Sequence, residues 1–266
     1  MTRSTGNRLG NVAAFGLTIV VNALATSIPL GGQTPPEISA KYPSLFTPAG
    51  FTFSIWGLIY LGLSFFIIYQ VMPAQRENTA LKSIDAWFKA SCVANATWIV
   101  AWHYDFLGLS IVIMACLLVC LVRIYQSLQV HSAAASRIER LVLHLPFSLY
   151  TAWISVATIA NISAVQTGYG WDDVGFQAAT WTFLKLGLAG AIGASMLLRK
   201  ADIAFVLVVA WAAYGIAVKQ AASPEVAGAA TTLALLALIL VGIEVGRRFL
   251  AGQQAHKSAS ACGIDH

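Results

Sequence analysis

The sequence predicts an all-α fold, a polytopic membrane bundle of about eight transmembrane helices. Of its 266 residues, 58% are hydrophobic and 10% are charged, with a mean hydropathy of +0.73. An ordinary soluble domain carries roughly 25% charged residues. A bilayer crossing takes about 20 apolar residues, and long unbroken apolar runs such as 226–245 dominate the chain. A transmembrane β-barrel would instead show strands of roughly ten residues with alternating polarity, so the composition favours helices.

Eight hydrophobic segments follow one another along the chain, and each is predicted to form one membrane helix. They cover residues 11–30, 50–72, 86–104, 106–127, 140–165, 176–198, 202–221 and 225–246. The first follows two arginines, as in a signal peptide, but its apolar run exceeds the roughly 7 to 15 residues of an h-region. We therefore expect it to be a helix of the bundle. The connections 73–85 and 128–139 are predicted to be solvated.

The basic residues are divided unequally between the two sides of this bundle. Thirteen of the sixteen Lys and Arg lie in the termini and alternate loops of one side, whereas Lys41 and Lys219 lie on the other and Lys185 lies inside the sixth segment. By the positive-inside rule, both termini are cytoplasmic. We expect an integral protein of the bacterial inner membrane. Because the basic residues are scattered in ones and twos, the net charge of +5 does not predict nucleic acid as a partner.

The outer loop 31–49 differs from the other connections. It holds four prolines and two glycines, with Tyr42 and Phe46 among its apolar residues. Prolines leave a loop less backbone freedom to lose on ordering, and the apolar side chains can dock on the helix ends. The loop is predicted to be a lid, with Pro43, Phe46 and Pro48 as its contact residues.

Three segments carry aromatic and amide residues at helical spacing. They are Phe53, Trp56 and Tyr60 in the second, Asn95, Trp98 and Trp102 in the third, and Tyr150, Trp153 and Asn161 in the fifth. Each set occupies one helical face, and the topology places all three beneath the lid. The pattern predicts an aromatic cavity with two amides. The alternatives are that the tryptophans mark the membrane interface and that the two Asn side chains only bond helix to helix.

These residues resemble the TspO/MBR family, the tryptophan-rich sensory proteins and translocator proteins. The stretch from Lys41 to Tyr60 is similar to the family's first loop and second helix, Asn95 and Trp98 to its third helix, and Tyr150, Trp153 and Asn161 to its fifth. The resemblance covers residues 10–166. There are three departures: the family's paired prolines are reduced to Pro48, the aromatic spacing to Trp56 is not identical, and the proline before the fifth-helix Tyr is displaced to Pro146. Residues 1–166 are thus predicted to be a five-helix bundle, 167–252 three additional transmembrane helices of an extended branch, and 253–266 a disordered polar tail.

The resemblance implies a protein that binds a flat hydrophobic small molecule, typically a porphyrin or related tetrapyrrole or a sterol. The tetrapyrrole type is the ligand we expect here, with a sensory or regulatory role for the protein. The predicted ligand-binding residues are Trp56, Tyr60, Asn95, Trp98, Tyr150, Trp153, Asn161 and Lys185. A transporter of such a ligand and a porphyrin-degrading enzyme are the alternatives. No cofactor is expected apart from a porphyrin or haem-related ligand. The other expected partners are the lipid bilayer and a second copy of the chain in a homodimer.

Lys185 lies at a membrane depth where ionisable groups are rare and usually functional. No carboxylate of the chain is expected at the same depth, and the lack of a counter-ion disfavours a retinal Schiff base. The remaining interpretations of the Lys185 ammonium group are a bond to a ligand anion, snorkelling to the interface and a cation–π contact with Trp181. The sequence contains no motif for hydrolysis or nucleotide-driven chemistry. No catalytic or metal-binding residue is therefore assigned, and His103 and Asp105 are expected to form an interfacial pair.

Overall fold

The computed structural model describes residues 3–27 and 32–261, with the backbone alone for residues 255–261. The described residues form nine helices and no strand, which confirms the all-α prediction. The helices are α1 (Thr5–Ser27), α2 (Pro35–Lys41), α3 (Ile55–Val71), α4 (Thr79–His103), α5 (Leu107–Val130), α6 (Arg137–Gly168), α7 (Ala178–Lys200), α8 (Ile203–Lys219) and α9 (Pro224–Ala261). A 3₁₀ turn, Gly50–Ser54, leads into α3, and α6 contains a π-helical turn, Arg140–His144.

The eight predicted segments correspond to the eight long helices. Six of these are long and apolar enough to cross a membrane, namely α1, α3 with its preceding 3₁₀ turn, α5, α6, α7 and α9. Helix α8 is apolar but has 17 residues, and α4 carries Lys82, Asp85 and Lys89 in its first half. Both pack against spanning helices, α4 along α1 and α5, and α8 along α6 and α9. The chain is therefore a multi-pass integral membrane protein.

The predicted lid contains a short helix, α2. Thr34 precedes it, and the carboxylate of Glu37 accepts bonds from the Thr34 backbone N–H and hydroxyl at 2.6 and 2.8 Å. These bonds lower the pKa of Glu37, and Pro35 stands at the first helical position, where no backbone N–H is needed. The loop is thus an ordered helix and turn. Its first residues, 28–31, lie outside the described part of the chain.

The end of the bundle opposite the lid, which we name the basic end, contains a buried polar cluster. The Arg3 guanidinium pairs with Asp85, with Nε 2.9 Å from Oδ2, and donates to Gln70 Oε1 at 2.9 Å. Asn11 also donates to Asp85, at 2.7 Å. Asp85 was expected in a solvated connection, but α4 begins at Thr79 and buries it. Removing one partner of such a buried pair costs roughly 3 to 5 kcal/mol.

The last helix extends beyond the membrane-spanning segment expected from sequence. Helix α9 ends at Ala261, so residues 253–261 of the predicted disordered tail are helical. Residues 262–266 lie outside the described part of the chain.

Candidate ligand-binding site

An aromatic cavity of about 420 Å³ lies beneath α2, between α1, α3 and α4. Its aromatic wall consists of Phe53, Trp56, Tyr60 and Trp98, and the prolines at the start of α2 line its lid side. Trp56 and Tyr60 are neighbours on one face of α3 and stack with their ring centroids 5.3 Å apart. We name this space the larger cavity.

A smaller cavity of about 50 Å³ shares two wall residues with the larger one, Phe53 and Trp98. Its other walls come from α4, α6, α8 and the lid, and they include Phe46, Pro48, Trp102, Trp153, Asn161, Ala212 and Ile216. A space of this size holds a few water molecules at most. The rings of Phe53 and Trp98 therefore separate a ligand-sized space from a much smaller one.

The two predicted amides bond within the protein. Asn95 accepts a bond from Asn22 Nδ2 at 2.7 Å and donates to the Tyr150 hydroxyl at 2.8 Å, so it joins α1, α4 and α6. Asn161 accepts from Trp98 Nε1 at 3.2 Å and donates to Ser110 Oγ at 2.9 Å. Buried amides need such partners. The alternative of helix-to-helix bonding therefore describes both residues, and Asn161 also lines the smaller cavity.

Two aromatic donors of the site are buried without a hydrogen-bond partner among the described residues. They are the buried hydroxyl of Tyr60, a residue that lines the larger cavity, and the buried indole N–H of Trp153, a residue that lines the smaller one. The amide of Asn95 lies near the Tyr60 hydroxyl, but it is bonded to Asn22 and to the Tyr150 hydroxyl. A buried donor without a partner costs roughly 1 to 3 kcal/mol. Each cavity is therefore lined by a residue with an unused donor.

The end of α2 is tied to the α4–α5 connection through Asp105. Lys41 Nζ lies 2.7 Å from Asp105 Oδ2, and the Tyr42 hydroxyl donates to Oδ1 at 2.9 Å. The bond from Lys41 is the main reason that the pKa of Asp105 is lowered, whereas desolvation and the bond to Asp105 raise the pKa of Tyr42 to about 12. The prediction of a His103–Asp105 pair is wrong. Asp105 bonds to Lys41 and Tyr42, and His103 Nδ1 contacts the Ile99 carbonyl at 2.7 Å.

The rest of the lid is held by α8. The Ala49 N–H donates to the Gly215 carbonyl at 2.9 Å, and Trp211 Nε1 donates to the Thr52 carbonyl at 3.0 Å. Gln220 Nε2 reaches the carbonyls of two further lid residues, each at 3.3 Å. Gly215 permits this approach because a Cβ atom there would lie 2.0 Å from Thr52 Oγ1. Helix α8 thus forms both a wall of the smaller cavity and an anchor for the lid.

This arrangement can be compared with known proteins. A family model described as TSPO-like protein matches residues 8–243. The chain belongs to the TSPO-like protein family. No curated protein and no solved structure was found to match the chain. The family match spans α7, α8 and most of α9, so it extends well beyond the 10–166 range of the resemblance seen in the sequence.

The predicted site residues of this TSPO-like protein fall into four groups. Trp56, Tyr60 and Trp98 line the larger cavity, and Trp98, Trp153, Asn161, Phe46 and Pro48 line the smaller one. Asn95 and Tyr150 lie behind these walls and bond to each other. Pro43 is exposed, and Lys185 lies on α7 and lines neither cavity. Sequence reasoning missed Asn22 and the α8 residues Ala212 and Ile216.

The walls of both cavities are uncharged. Their polar side chains are Asn22, Thr26, Tyr60, Ser39 and Asn161, together with the indoles, and the described part of neither wall contains His or Cys. Among the described residues, no group of three His, Cys, Asp or Glu side chains is placed to hold a metal ion. The two walls thus offer aromatic faces, apolar side chains and a few uncharged polar groups.

Proposed function

We propose that this protein binds a flat hydrophobic small molecule of the tetrapyrrole type in the larger cavity and has a sensory or regulatory role. The observation that carries the proposal is a space of about 420 Å³ walled by Phe53, Trp56, Tyr60 and Trp98. Ligand cavities typically have about 300 to 1,000 Å³ and mostly apolar walls with a few polar groups. Aromatic rings prefer offset-stacked or edge-to-face contacts, which a planar macrocycle offers.

The ligand's hydrogen bond is assigned to Tyr60. Its side chain lines the larger cavity, and its buried hydroxyl lacks a partner among the described residues. A ligand nitrogen or carbonyl that accepts from it gives this donor the bond it lacks. The uncharged wall offers no counter-ion for a carboxylate, so any propionates of the ligand point out of the cavity or are absent.

The test is a titration of the purified protein with protoporphyrin IX, followed by the shift of the porphyrin absorption band. Trp98→Ala should weaken binding severalfold, because one lost stacked aromatic costs roughly 0.5 to 1.5 kcal/mol beyond its area burial. Trp171→Ala is the matched control, since Trp171 is exposed in the α6–α7 loop and packs on Tyr169. Equal effects of the two changes would mean that the porphyrin partitions into detergent.

A transporter and a porphyrin-degrading enzyme are separated from a sensor by further measurements on the same preparation. Net porphyrin flux into sealed liposomes would indicate transport, and bleaching of the absorption band under light would indicate degradation. A sensor binds the porphyrin without either. We also propose the bacterial inner membrane with both termini cytoplasmic. In intact cells, a Cys introduced at the exposed position Pro43 should then react with a membrane-impermeant reagent.

A further inference from the structure

A different cavity opens at the basic end of the bundle, where α5, α6, α7, α8 and α9 meet. It has a volume of about 590 Å³, and its charged wall residues are Arg140, Lys200, Arg248 and Asp202, with His144 beside them. We name it the basic cavity. Ile203 in its wall and Ile216 in the smaller aromatic cavity are 13 positions apart on α8, which is roughly 20 Å at 1.5 Å per residue. The two sites lie at opposite ends of that helix.

The acidic residue of this wall is already bonded within the protein. Asp202 accepts bonds from the Tyr125 hydroxyl at 2.8 Å, from Ser148 Oγ at 2.7 and 2.8 Å, and from the Phe205 N–H at 3.0 Å as the N-cap of α8. Arg248 pairs with Glu244. Among the described residues, no carboxylate lies within ion-pair distance of Arg140 or Lys200. The basic cavity therefore has an excess of positive charge.

A backbone irregularity places two of the basic residues in this wall. Arg140–His144 is a π-helical turn within α6, and its first and last residues both line the basic cavity. π-Helical turns are rare and occur frequently at functional sites. The turn is an observation independent of the charges, and it marks the same cavity.

We propose that the basic cavity binds the phosphate group of an anionic phospholipid. Arg and Lys are the side chains that bind phosphate best, and basic pockets between membrane helices on the cytoplasmic side bind anionic headgroups. Leu128, Leu145 and Ile203 line the same cavity and supply apolar contacts for the start of an acyl chain. A soluble phosphate compound shares the headgroup chemistry but makes no use of these residues.

The test measures lipid binding to the purified full chain in detergent by native mass spectrometry. Cardiolipin should bind at least roughly tenfold more tightly than phosphatidylcholine, and the double variant Arg140→Gln/Lys200→Gln should lose about tenfold of that affinity, since two cations near the headgroup are removed. The control is Arg76→Gln/Lys82→Gln, which removes two exposed cations from the same end outside the basic cavity. The control should leave cardiolipin affinity within about twofold.

Equal losses in the two double variants, or full cardiolipin binding by Arg140→Gln/Lys200→Gln, would overturn the proposal. Inorganic pyrophosphate tests whether the ligand is a soluble phosphate compound. If pyrophosphate binds tightly through Arg140 and Lys200 while cardiolipin binds weakly, the ligand is a soluble phosphate and the lipid proposal is wrong. The variant Arg140→Lys/Lys200→Arg keeps both charges and should keep cardiolipin binding. Melting temperatures of all variants show whether a loss comes from misfolding.

Discussion

Replacing Gly215 by alanine tests how closely α8 fits the lid. The new Cβ atom would lie 2.0 Å from Thr52 Oγ1 and 3.0 Å from both Thr52 Cβ and Cγ2. Optimal contacts between non-bonded heavy atoms are about 3.5 to 4 Å, so α8 and the 3₁₀ turn must move apart. The movement also weakens the bond from the Ala49 N–H to the Gly215 carbonyl, because that bond joins the same two elements.

The net effect follows from three opposing terms. Alanine in place of a helical glycine stabilises by roughly 0.5 to 1 kcal/mol, overpacking costs roughly 1 to 3 kcal/mol, and a lost hydrogen bond costs about 1 kcal/mol. We expect Gly215→Ala to lower the free energy of unfolding by about 1 to 3 kcal/mol. Gly242→Ala in α9 is the matched control, because its Cβ atom would meet no atom within 4 Å, and it should be neutral or stabilising.

The assay is denaturant unfolding of the purified protein in detergent micelles. Thr52→Gly removes all three clashing atoms, so Gly215→Ala should cost much less in that background, and the double-mutant cycle isolates the contact. The reasoning is refuted if Gly215→Ala is as stable as Gly242→Ala. It is also refuted if Gly215→Ala is equally destabilising with and without Thr52.

Three further predictions concern the aromatic site and its lid. Tyr60→Phe removes a hydroxyl without a partner, so it should weaken protoporphyrin binding roughly twofold to tenfold without lowering the free energy of unfolding. Tyr150→Phe breaks the bond from Asn95 and should lower the free energy of unfolding. Asp105→Asn should speed hydrogen exchange in residues 35–54, whereas Glu77→Gln at the basic end should not. In the wild type, the Lys41–Asp105 ion pair is fully present at pH values above 3.8, the ordinary pKa of Asp. It is lost as the pH falls through the lowered pKa of Asp105. Lys185→Met should bind protoporphyrin IX and its dimethyl ester as the wild type does; a loss confined to the free acid would instead assign Lys185 to a ligand carboxylate.

Helical spacing predicts which residues share a face, and this part of the site could be found from the sequence. Trp56 and Tyr60 stack on one side of α3, and Trp98 and Trp102 stack on one side of α4 with ring centroids 5.7 Å apart. Spacing within a helix does not give the rotation of one helix against its neighbour. Whether Asn95 meets a ligand or Tyr150 depends on that rotation, so the sequence left both alternatives open.

Other features of the structure differ in the signal they leave in the sequence. Helix α2 leaves a local sequence signal, Thr34-Pro-Pro-Glu37, in which a capping residue is followed three positions later by Glu. The buried Arg3–Asp85 pair has none, because its members are 82 positions apart and each resembles an ordinary charge beside a membrane segment. A cationic residue at a helix end predicts topology equally well whether it is solvated or buried.

The position of α8 gives the C-terminal helices a role in the aromatic site. Its last turns supply Ala212 and Ile216 to the smaller cavity and hold the lid through Gly215 and Gln220. Its first turn borders the basic cavity, where Asp202 caps it. Since one helix of 17 residues makes both sets of contacts, a shift of α8 along its axis would change the lid bonds and the basic cavity together. The residues that line the larger cavity all lie before residue 166, whereas a wall of the smaller cavity and most of the lid bonds come from beyond it.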